Sequence, residues 1–239
     1  MRARLATGGG IGALARMRVE GYVRSGRVLA AAMAALIVLG VAYGGGAAQA
    51  GEAYGYSAAV LFPVLAAQAQ MLLNTEPDVQ RRLSMVAVGG LRREILAGAL
   101  AAVVASLAVV AVAIVAPWPI GGITGPRSAD DPGLLVGFTA GIWANLLLVL
   151  PAVALGALAS RAAVGSTGLG LAVLASGCVM GYVVGVRDSM VWWLGPPLLP
   201  TARATVDGLD VPAMLGYTAQ SLLWTAAAAA VYVWLRRRH

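Results

Sequence analysis

The sequence predicts an all-α integral membrane protein with six transmembrane helices, and three observations lead to that fold class. The 239-residue chain is 60% hydrophobic and only 11% charged, whereas charged residues make up about a quarter of a typical soluble domain. Six stretches without a charged residue are each long enough to cross a bilayer, because about 20 apolar residues span its hydrocarbon core. These stretches lack the alternation of β-strands, which argues against a transmembrane barrel.

The pattern of charges and turns predicts one transmembrane domain over residues 1–239. An interfacial helix at 11–27 leads into the first span, and a cytoplasmic segment at 74–94 joins spans two and three. Broken external helices are expected at 187–211, between spans five and six. The spans themselves are predicted at about 28–48, 54–74, 95–117, 133–159, 163–186 and 212–235.

The arginines set the orientation of the chain. All 17 basic residues are arginines, and 14 of them fall at the two termini and in the loops on the same side of the membrane, against three on the other side. Such a bias places both termini and the 76–94 loop in the cytoplasm. The arginines that give the net charge of +7 therefore set the topology and contact anionic lipids, and they do not form a surface for nucleic acid. The lack of lysine and the excess of Ala, Gly and Val are typical of GC-rich bacteria, so we expect a multi-pass protein of the bacterial plasma membrane.

One alternative concerns the first span. Ala48-Gln49-Ala50 follows an apolar run and resembles a signal-peptidase site. The charged region before that run extends to residue 27 and the run is longer than a usual signal core, so a retained first span is the better interpretation.

The segment at 11–27 has two faces on a helical projection. Ile11, Leu14, Ala15, Val19, Tyr22 and Val23 share one arc, whereas Arg16, Glu20, Arg24 and Arg27 share the other. Arg18 and Met17 are exceptions to this division. The pattern predicts an amphipathic helix at the cytoplasmic interface; the alternative is a basic flank that only sets the topology.

The segment NTEPDVQRRLSMVAVGGLRRE at 74–94 predicts a short cytoplasmic helix. Thr75 is placed to cap it, acidic residues occupy its first turn, and Gly89-Gly90 is expected to end it. Helical spacing puts an apolar stripe on one face and polar residues elsewhere. The stripe consists of Val79, Leu83 and Val86, and the polar set consists of Arg81, Arg82 and Ser84. A helix with both kinds of face is suited to bind a cytoplasmic partner.

The predicted spans contain no charged residue, which argues against a proton-coupled or ion-coupled carrier. Amides remain at Gln68 and Gln70 in span two, Asn145 in span four and Gln220 in span six. Asn145 and Gln220 are expected to hydrogen-bond between helices, while Gln68 and Gln70 suit either packing or a water-filled cavity.

Small residues and aromatic residues mark two further features. Gly177, Gly181 and Gly185 form a ridge in span five that lets another helix approach closely, from this chain or from a second subunit. Outside, Trp192 and Trp193 precede Pro196, Pro197 and Pro200, which predicts short helices that dip into the outer leaflet. An ordinary aromatic belt followed by a loop is the alternative.

The residue inventory gives no support for an enzyme. A Walker A loop needs a lysine, and the chain has none. The only histidine is the terminal His239 and the only cysteine is Cys178, so catalytic Ser-His pairs and metal sites are not expected.

The order of elements, together with the text NTEPDVQRRLSMVAVGGLRREILAGAL, resembles the permease subunits of type 2 ABC exporters, and the text looks like the coupling segment of actinobacterial members. The resemblance implies a pair of permeases, identical or homologous, with two copies of a separate ATPase. ATP and Mg would be bound by the ATPase, and this chain would hold no cofactor.

The same resemblance assigns roles to residues. Residues 76–88 would dock into the ATPase, through Glu76, Asp78, Arg81, Arg82, Leu83 and Val86, helped by Arg16 and Glu20 of the first helix. The translocation path would include Gln68, Gln70, Gly177, Gly181 and Tyr182. The external gate would include Trp192, Trp193, Pro196 and Pro197. An uncharged cavity suggests an amphipathic or lipid-like cargo such as an antibiotic, a peptide or a lipid, with antibiotic resistance as one physiological outcome.

Two other functions stay open from the sequence. One is a non-transporting membrane subunit that confers immunity or assists assembly. The other is a small-molecule channel or the substrate-binding membrane component of an energy-coupling transporter, which would lack the long docking helix.

Overall fold

The structure is a computed structural model that describes residues 9–128, 131–186 and 189–238. Within these residues, five helices are long and apolar enough to cross a membrane, and a bent pair of helices raises the number to six if the pair forms one span. The prediction of a multi-span helical membrane protein is therefore confirmed. The five long helices are Ala50–Leu73, Leu91–Val115, Leu134–Leu158, Thr167–Val184 and Val211–Arg238.

The bent pair is the N-terminal part of the fold. Helix α1 covers Gly9–Arg24 and α2 covers Arg27–Tyr43, with a bend of 75° between them. Gly26 makes the corner, since its φ of 72° is left-handed and suits glycine. Helix α1 thus lies across the direction of α2, as an interfacial helix would. Helix α2 ends five residues before the predicted end of span one, where the run Gly44-Gly45-Gly46 follows.

The second span, α3 (Ala50–Leu73), is the central helix of the bundle. It begins four residues earlier than predicted, with Glu52 in its first turn, where a carboxylate favours the positive end of the helix dipole. Buried residues cover it on several sides, and it packs against α2 and against most of the later helices.

The segment after α3 forms α4 (Asp78–Val88), and α5 (Leu91–Val115) follows directly. Gly89 and Gly90 end α4 with φ values of 87° and 131°, as the sequence suggests. Thr75 is not the cap of α4, because the N-cap position is Pro77; the Thr75 hydroxyl instead donates to the carbonyl of Met71 on α3. The helix begins only after Pro77, which leaves Glu76 outside it.

Spans four and five, each predicted as one span, are both interrupted. Span four consists of α6 (Leu134–Leu147) and α7 (Val149–Leu158), with a break at Leu148 that lies three residues before Pro151. The predicted start of span five forms the short α8 (Arg161–Val164), and α9 (Thr167–Val184) starts after Ser166, whose hydroxyl accepts a hydrogen bond from the Leu169 amide.

The chain between α9 and the last helix is broken, in line with its prolines. A single 3-10 turn covers Trp192–Leu194, and α10 covers Leu198–Ala204 before α11 (Val211–Arg238) begins. Two short strands, β1 (Ala48–Gln49) and β2 (Ile123–Thr124), pair in parallel at this same end of the bundle. We call the end that holds α1, α4 and the last turn of α11 the arginine-rich end, and the end that holds β1, β2 and α10 the opposite end.

Candidate functional site

A buried ion network joins four helices at the arginine-rich end, and Arg18 is at its centre. Its guanidinium donates to Glu76 at 3.0 and 2.6 Å and to the Glu94 side chain at 2.5 Å. It also donates to the backbone carbonyl of Glu94 at 3.1 Å. All three side chains are less than a tenth exposed. Burial alone lowers the pKa of Arg18, but the hydrogen bonds and charges of Glu94 and Glu76 outweigh it and leave the pKa above its ordinary value.

Glu94 extends the network to the last helix. Its second carboxylate oxygen accepts from Arg236 on α11 at 3.0 Å, and Arg236 also donates to the hydroxyl of Tyr232. The hydroxyl of Ser84 on α4 donates to the free oxygen of Glu76. Because each buried charge has an opposite partner, α1, α4, α5 and α11 are held together at this end.

Arg81 fixes the inner side of α4 to the end of α3. Arg81 is 7% exposed, and its guanidinium donates to the backbone carbonyls of Leu73 at 3.3 Å and Glu76 at 3.2 Å, and to Asp78 at 3.1 Å. Burial, followed by the nearby charge of Arg236, lowers the pKa of Arg81. Arg81 therefore turns inward and is not on the surface that a partner would meet.

The outer side of α4 is an exposed apolar stripe. Val79, Leu83 and Val86 are 73%, 66% and 77% exposed. Arg82 lies beside the stripe and is also exposed, and Asp78 stands at the start of the helix. We call Val79, Leu83 and Val86 the α4 stripe. It is an apolar surface on a helix whose opposite face is anchored by buried ions.

The outer side of α1 carries charges next to this helix. Arg16 and Glu20 form an exposed ion pair at 2.7 Å. Between α1 and α4 lies a cavity of about 240 Å³, which Glu20 lines together with Arg18 and Glu76. The predicted coupling residues thus divide into an exposed set and a buried set, and the buried set comprises Glu76 and Arg81.

The residues predicted for a translocation path are mostly buried within the chain. The amide nitrogen of Gln68 donates to the Ala105 carbonyl on α5, and that of Gln70 donates to the carbonyl of Ala159. The oxygen of Gln68 is buried without a hydrogen-bond partner among the described residues. The hydroxyl of Tyr182 on α9 donates to the carbonyl of Ala59 at 2.8 Å. Their role in transport stays a prediction.

The glycine ridge of α9 faces helices of the same chain. A Cβ at Gly177 would clash with Leu155 on α7, and one at Gly181 would lie 3.0 Å from Leu198 on α10. The close approach that the ridge predicts is thus made within this chain, while other α9 side chains, among them Val179 and Met180, are exposed.

At the opposite end, the tryptophans and the prolines of the predicted gate differ in their exposure. Trp192 and Trp193 are exposed, whereas Pro196 and Pro197 are buried. Gln220 on α11 donates to the carbonyls of Trp192 and Gly195, both at 3.0 Å. Nearer the bundle centre, Asn145 donates to the carbonyls of Tyr54 on α3 and Gly141. The sequence assigns both amides to links between helices, and both make hydrogen bonds to other elements here.

Sequence reasoning missed Arg18, Glu94 and Arg236 as members of one cluster. Arg18 interrupts the apolar arc of the first helix, and an arginine on an otherwise apolar face is the signal that could have indicated a buried carboxylate partner. The partners of Arg18 are 58 and 76 residues away in the chain, so local spacing did not identify them.

Comparisons with protein-family models, with curated proteins and with solved structures gave no match. Over the part of the chain that the structure describes, no group of three or more His, Cys, Asp or Glu side chains is placed to hold a metal ion.

Proposed function

We propose that this chain is the membrane-spanning subunit of an ATP-driven exporter and that the α4 stripe docks on a separate ATPase. The observation that carries the proposal is the pairing of an exposed apolar stripe on α4 with buried anchors on its other face, where Arg81 donates to backbone carbonyls and Ser84 donates to Glu76 of the ion network. A loop that only joined two spans would not need either feature. Leaving Val79, Leu83 and Val86 in water is unfavourable unless a partner covers them.

Its contacts with the buried ion network make α4 suited to transmit movement to the spans. Glu76 joins the base of α4 to α1, which leads into α2, and Glu94 at the start of α5 joins both to α11. Displacement of α4 by a partner would therefore move the cytoplasmic ends of several spans together. For this to drive transport, the nucleotide states of the ATPase must bind α4 with different affinities, because only a differential interaction shifts a conformational equilibrium.

In this proposal ATP and Mg are bound by two ATPase copies, and a second permease, identical or homologous, completes the path. Gln68, Gln70, Gly177, Gly181 and Tyr182 are proposed to face or to shape that path in another conformation. Trp192, Trp193, Pro196 and Pro197 are the proposed external gate. An amphipathic or lipid-like compound is the proposed cargo.

The test is capture of the ATPase by the intact chain. The tagged full chain is purified in mild detergent from its native cells, and co-purifying proteins are identified by mass spectrometry. We expect a soluble ATPase with a Walker A loop, at one copy per permease chain, and Mg-ATP hydrolysis by the complex.

Matched variants assign the contact to α4. Leu83→Glu/Val86→Glu places two charges on the stripe and should abolish ATPase recovery. Leu209→Glu/Val211→Glu changes the same residue types at exposed positions of the opposite end and should leave recovery intact. Recovery of no ATPase by the unaltered chain would contradict the proposal. An ATPase that binds but whose rate responds to no transported compound would favour the immunity or assembly role.

A further inference from the structure

A second cavity at the arginine-rich end is lined by ten residues, five of which are arginines. It has a volume of about 560 Å³ and lies between α4, α8 and the end of α11. Its charged lining consists of Asp78, Arg81, Arg82, Arg161, Arg236 and Arg237. We call this cavity the arginine pocket.

The positive charge of the arginine pocket is only partly balanced. Arg81 pairs with Asp78, and Arg236 pairs with Glu94. Among the described residues, no carboxylate lies within 4.0 Å of the guanidinium groups of Arg82, Arg161 or Arg237. The Nε atom of Arg161 is buried and has no hydrogen-bond partner in the described chain. A buried donor without a partner costs free energy, and an anion bound by Arg161 would lower that cost.

An apolar groove lies directly below the arginine pocket, toward the bundle centre. It has a volume of about 150 Å³ and is lined by side chains of α3, α5, α7 and α11 that are almost all apolar. Its members include Ile95, Ala154, Ala229 and Tyr232.

The pocket and the groove are neighbours along three parts of the chain. On α5, Leu91 lines the pocket and Ile95 lines the groove. On α11, Arg236 lines the pocket and Tyr232 lines the groove. Across the junction of α7 and α8, Ala157 lines the groove and Arg161 the pocket. Four residues of helix rise by about 6 Å, which is roughly the distance from a phosphate to the start of a lipid acyl chain. The two cavities therefore lie about one helical turn apart, one cationic and one apolar, and we call the pair the composite site.

We propose that this composite site binds one anionic phospholipid of the cytoplasmic leaflet, with its phosphate in the arginine pocket and an acyl chain in the groove. Arginine is suited to bind phosphate oxygens through two parallel hydrogen bonds. Basic pockets between helices on the cytoplasmic side are typical sites for anionic headgroups. A soluble phosphate would fill the pocket only and would leave the groove unused. The lipid would also contact α4 and α11, so it would reinforce the buried ion network described above.

The first test needs no variant. Native mass spectrometry of the full chain in detergent measures binding of dioleoylphosphatidylglycerol, dioleoylphosphatidylcholine and inorganic phosphate. Attraction to each arginine near the surface strengthens binding about fivefold. We expect phosphatidylglycerol to bind at least about 30-fold more tightly than phosphatidylcholine, and a 100-fold excess of inorganic phosphate not to displace it. Equal affinities for the two lipids would overturn the proposal.

Two pairs of variants test the head and the tail of the site separately. Arg161→Gln/Arg237→Gln should weaken phosphatidylglycerol binding about 30-fold. The control Arg24→Gln/Arg92→Gln removes the same charge from exposed arginines that do not line the pocket, and should retain binding. Ala229→Trp fills the groove and should also weaken binding, whereas Ala230→Trp, next to it on α11 but outside the groove, should not.

The outcomes distinguish a lipid from other ligands. If inorganic phosphate displaces phosphatidylglycerol and Ala229→Trp behaves like Ala230→Trp, the site binds a soluble anion and the proposal fails. If the Arg161→Gln/Arg237→Gln variant and the Arg24→Gln/Arg92→Gln control lose phosphatidylglycerol binding equally, the lipid is attracted by the general positive charge of this end. The proposal then also fails. Binding of lipid is measured without ATPase, so failure of the exporter proposal would leave this result unaffected.

Discussion

Arg18 on α1 donates two hydrogen bonds to Glu76, at 3.0 and 2.6 Å, across 58 residues of chain. The contact brings the N-terminal helix onto the base of the proposed docking helix. Because the same guanidinium also binds Glu94, one arginine side chain joins the first helix to α4 and to the start of the third span. Removing it would leave two buried carboxylates with less positive charge around them.

Arg18→Ala should therefore destabilise the protein strongly. Loss of one partner of a buried ion pair costs about 3–5 kcal/mol, which lowers Tm by roughly 6–20 °C in a chain of this size. Cys178 is free and buried, so its reaction with a thiol-specific dye in detergent reports unfolding. Arg16→Ala on the same helix is the control, since that side chain is 82% exposed and its pair with Glu20 contributes little. Equal Tm values for the two variants would contradict the role of Arg18.

The neighbouring arginines Arg81 and Arg82 should behave differently from each other. Arg81→Gln removes hydrogen bonds to Leu73 and Glu76, so α4 should loosen and its amides should exchange faster with deuterium. Arg82→Gln changes an exposed side chain and should leave amide exchange in α4 unchanged. Hydrogen–deuterium exchange of the 76–90 peptides measures both. Rapid exchange in both variants, or in neither, would show that the inward bonds of Arg81 do not hold α4.

The sequence was sufficient to predict the spans and the α4 stripe, because both depend on local patterns. A charge-free run identifies a span, and residues spaced as Val79, Leu83 and Val86 share one face of any helix. The arginines of α4 do not by themselves report which face is exposed, because Arg82 is exposed whereas Arg81 is buried.

The breaks and the ion network could not be predicted in the same way. Pro151 indicates a bend in span four, but the break at Gly165 lies inside an apolar run without proline, where packing decides the position of the bend. The partners of Arg18 come from segments far along the chain, and hydropathy does not report such pairs. Thr75 illustrates a third reason: its hydroxyl can accept from the amides of a following helix or donate to the carbonyls of the preceding one, and here it donates to Met71 while α4 begins only after Pro77.

The contact between α3 and α7 depends on a glycine. A Cβ at Gly156 would lie within 3 Å of the Ala66 carbonyl and of the Ala69 side chain, so Gly156→Ala should force the two helices apart. Overpacking of this kind costs about 1–3 kcal/mol. Gly40→Ala in α2 is the matched control, because nothing lies within 4 Å of the position of its Cβ. The dye assay on Cys178 should give a lower Tm for the first variant and an unchanged or higher Tm for the second. A Gly156→Ala protein as stable as the control would contradict the close packing of α3 on α7.

Asp131 organises the loop at the opposite end and makes that loop sensitive to acid. Its carboxylate accepts from the backbone amides of Ser128 and Arg127, each at 2.7 Å, and from the side chain of Gln49 at 2.7 Å. The two backbone bonds, with smaller help from side chains, lower the pKa of Asp131 below its ordinary value of 3.8. A lowered pKa means that the folded loop favours the ionised carboxylate. Its stabilisation is therefore complete above the ordinary value and is lost as the pH falls through the lower, folded-state value.

We therefore expect the amides of Arg127 and Ser128 to keep their hydrogen-exchange protection factors down to pH 4 and to lose them in more acidic solution. Asp131→Asn should give low protection at every pH, because a neutral amide accepts these bonds more weakly. Asp207→Asn serves as the control, since Asp207 is exposed and accepts no hydrogen bond from the described residues. Protection that is independent of pH in the unaltered chain would show that the loop does not need the charge of Asp131. Loss of protection confined to this loop, with α3 and α6 unaffected, would assign the acid sensitivity to the carboxylate of Asp131.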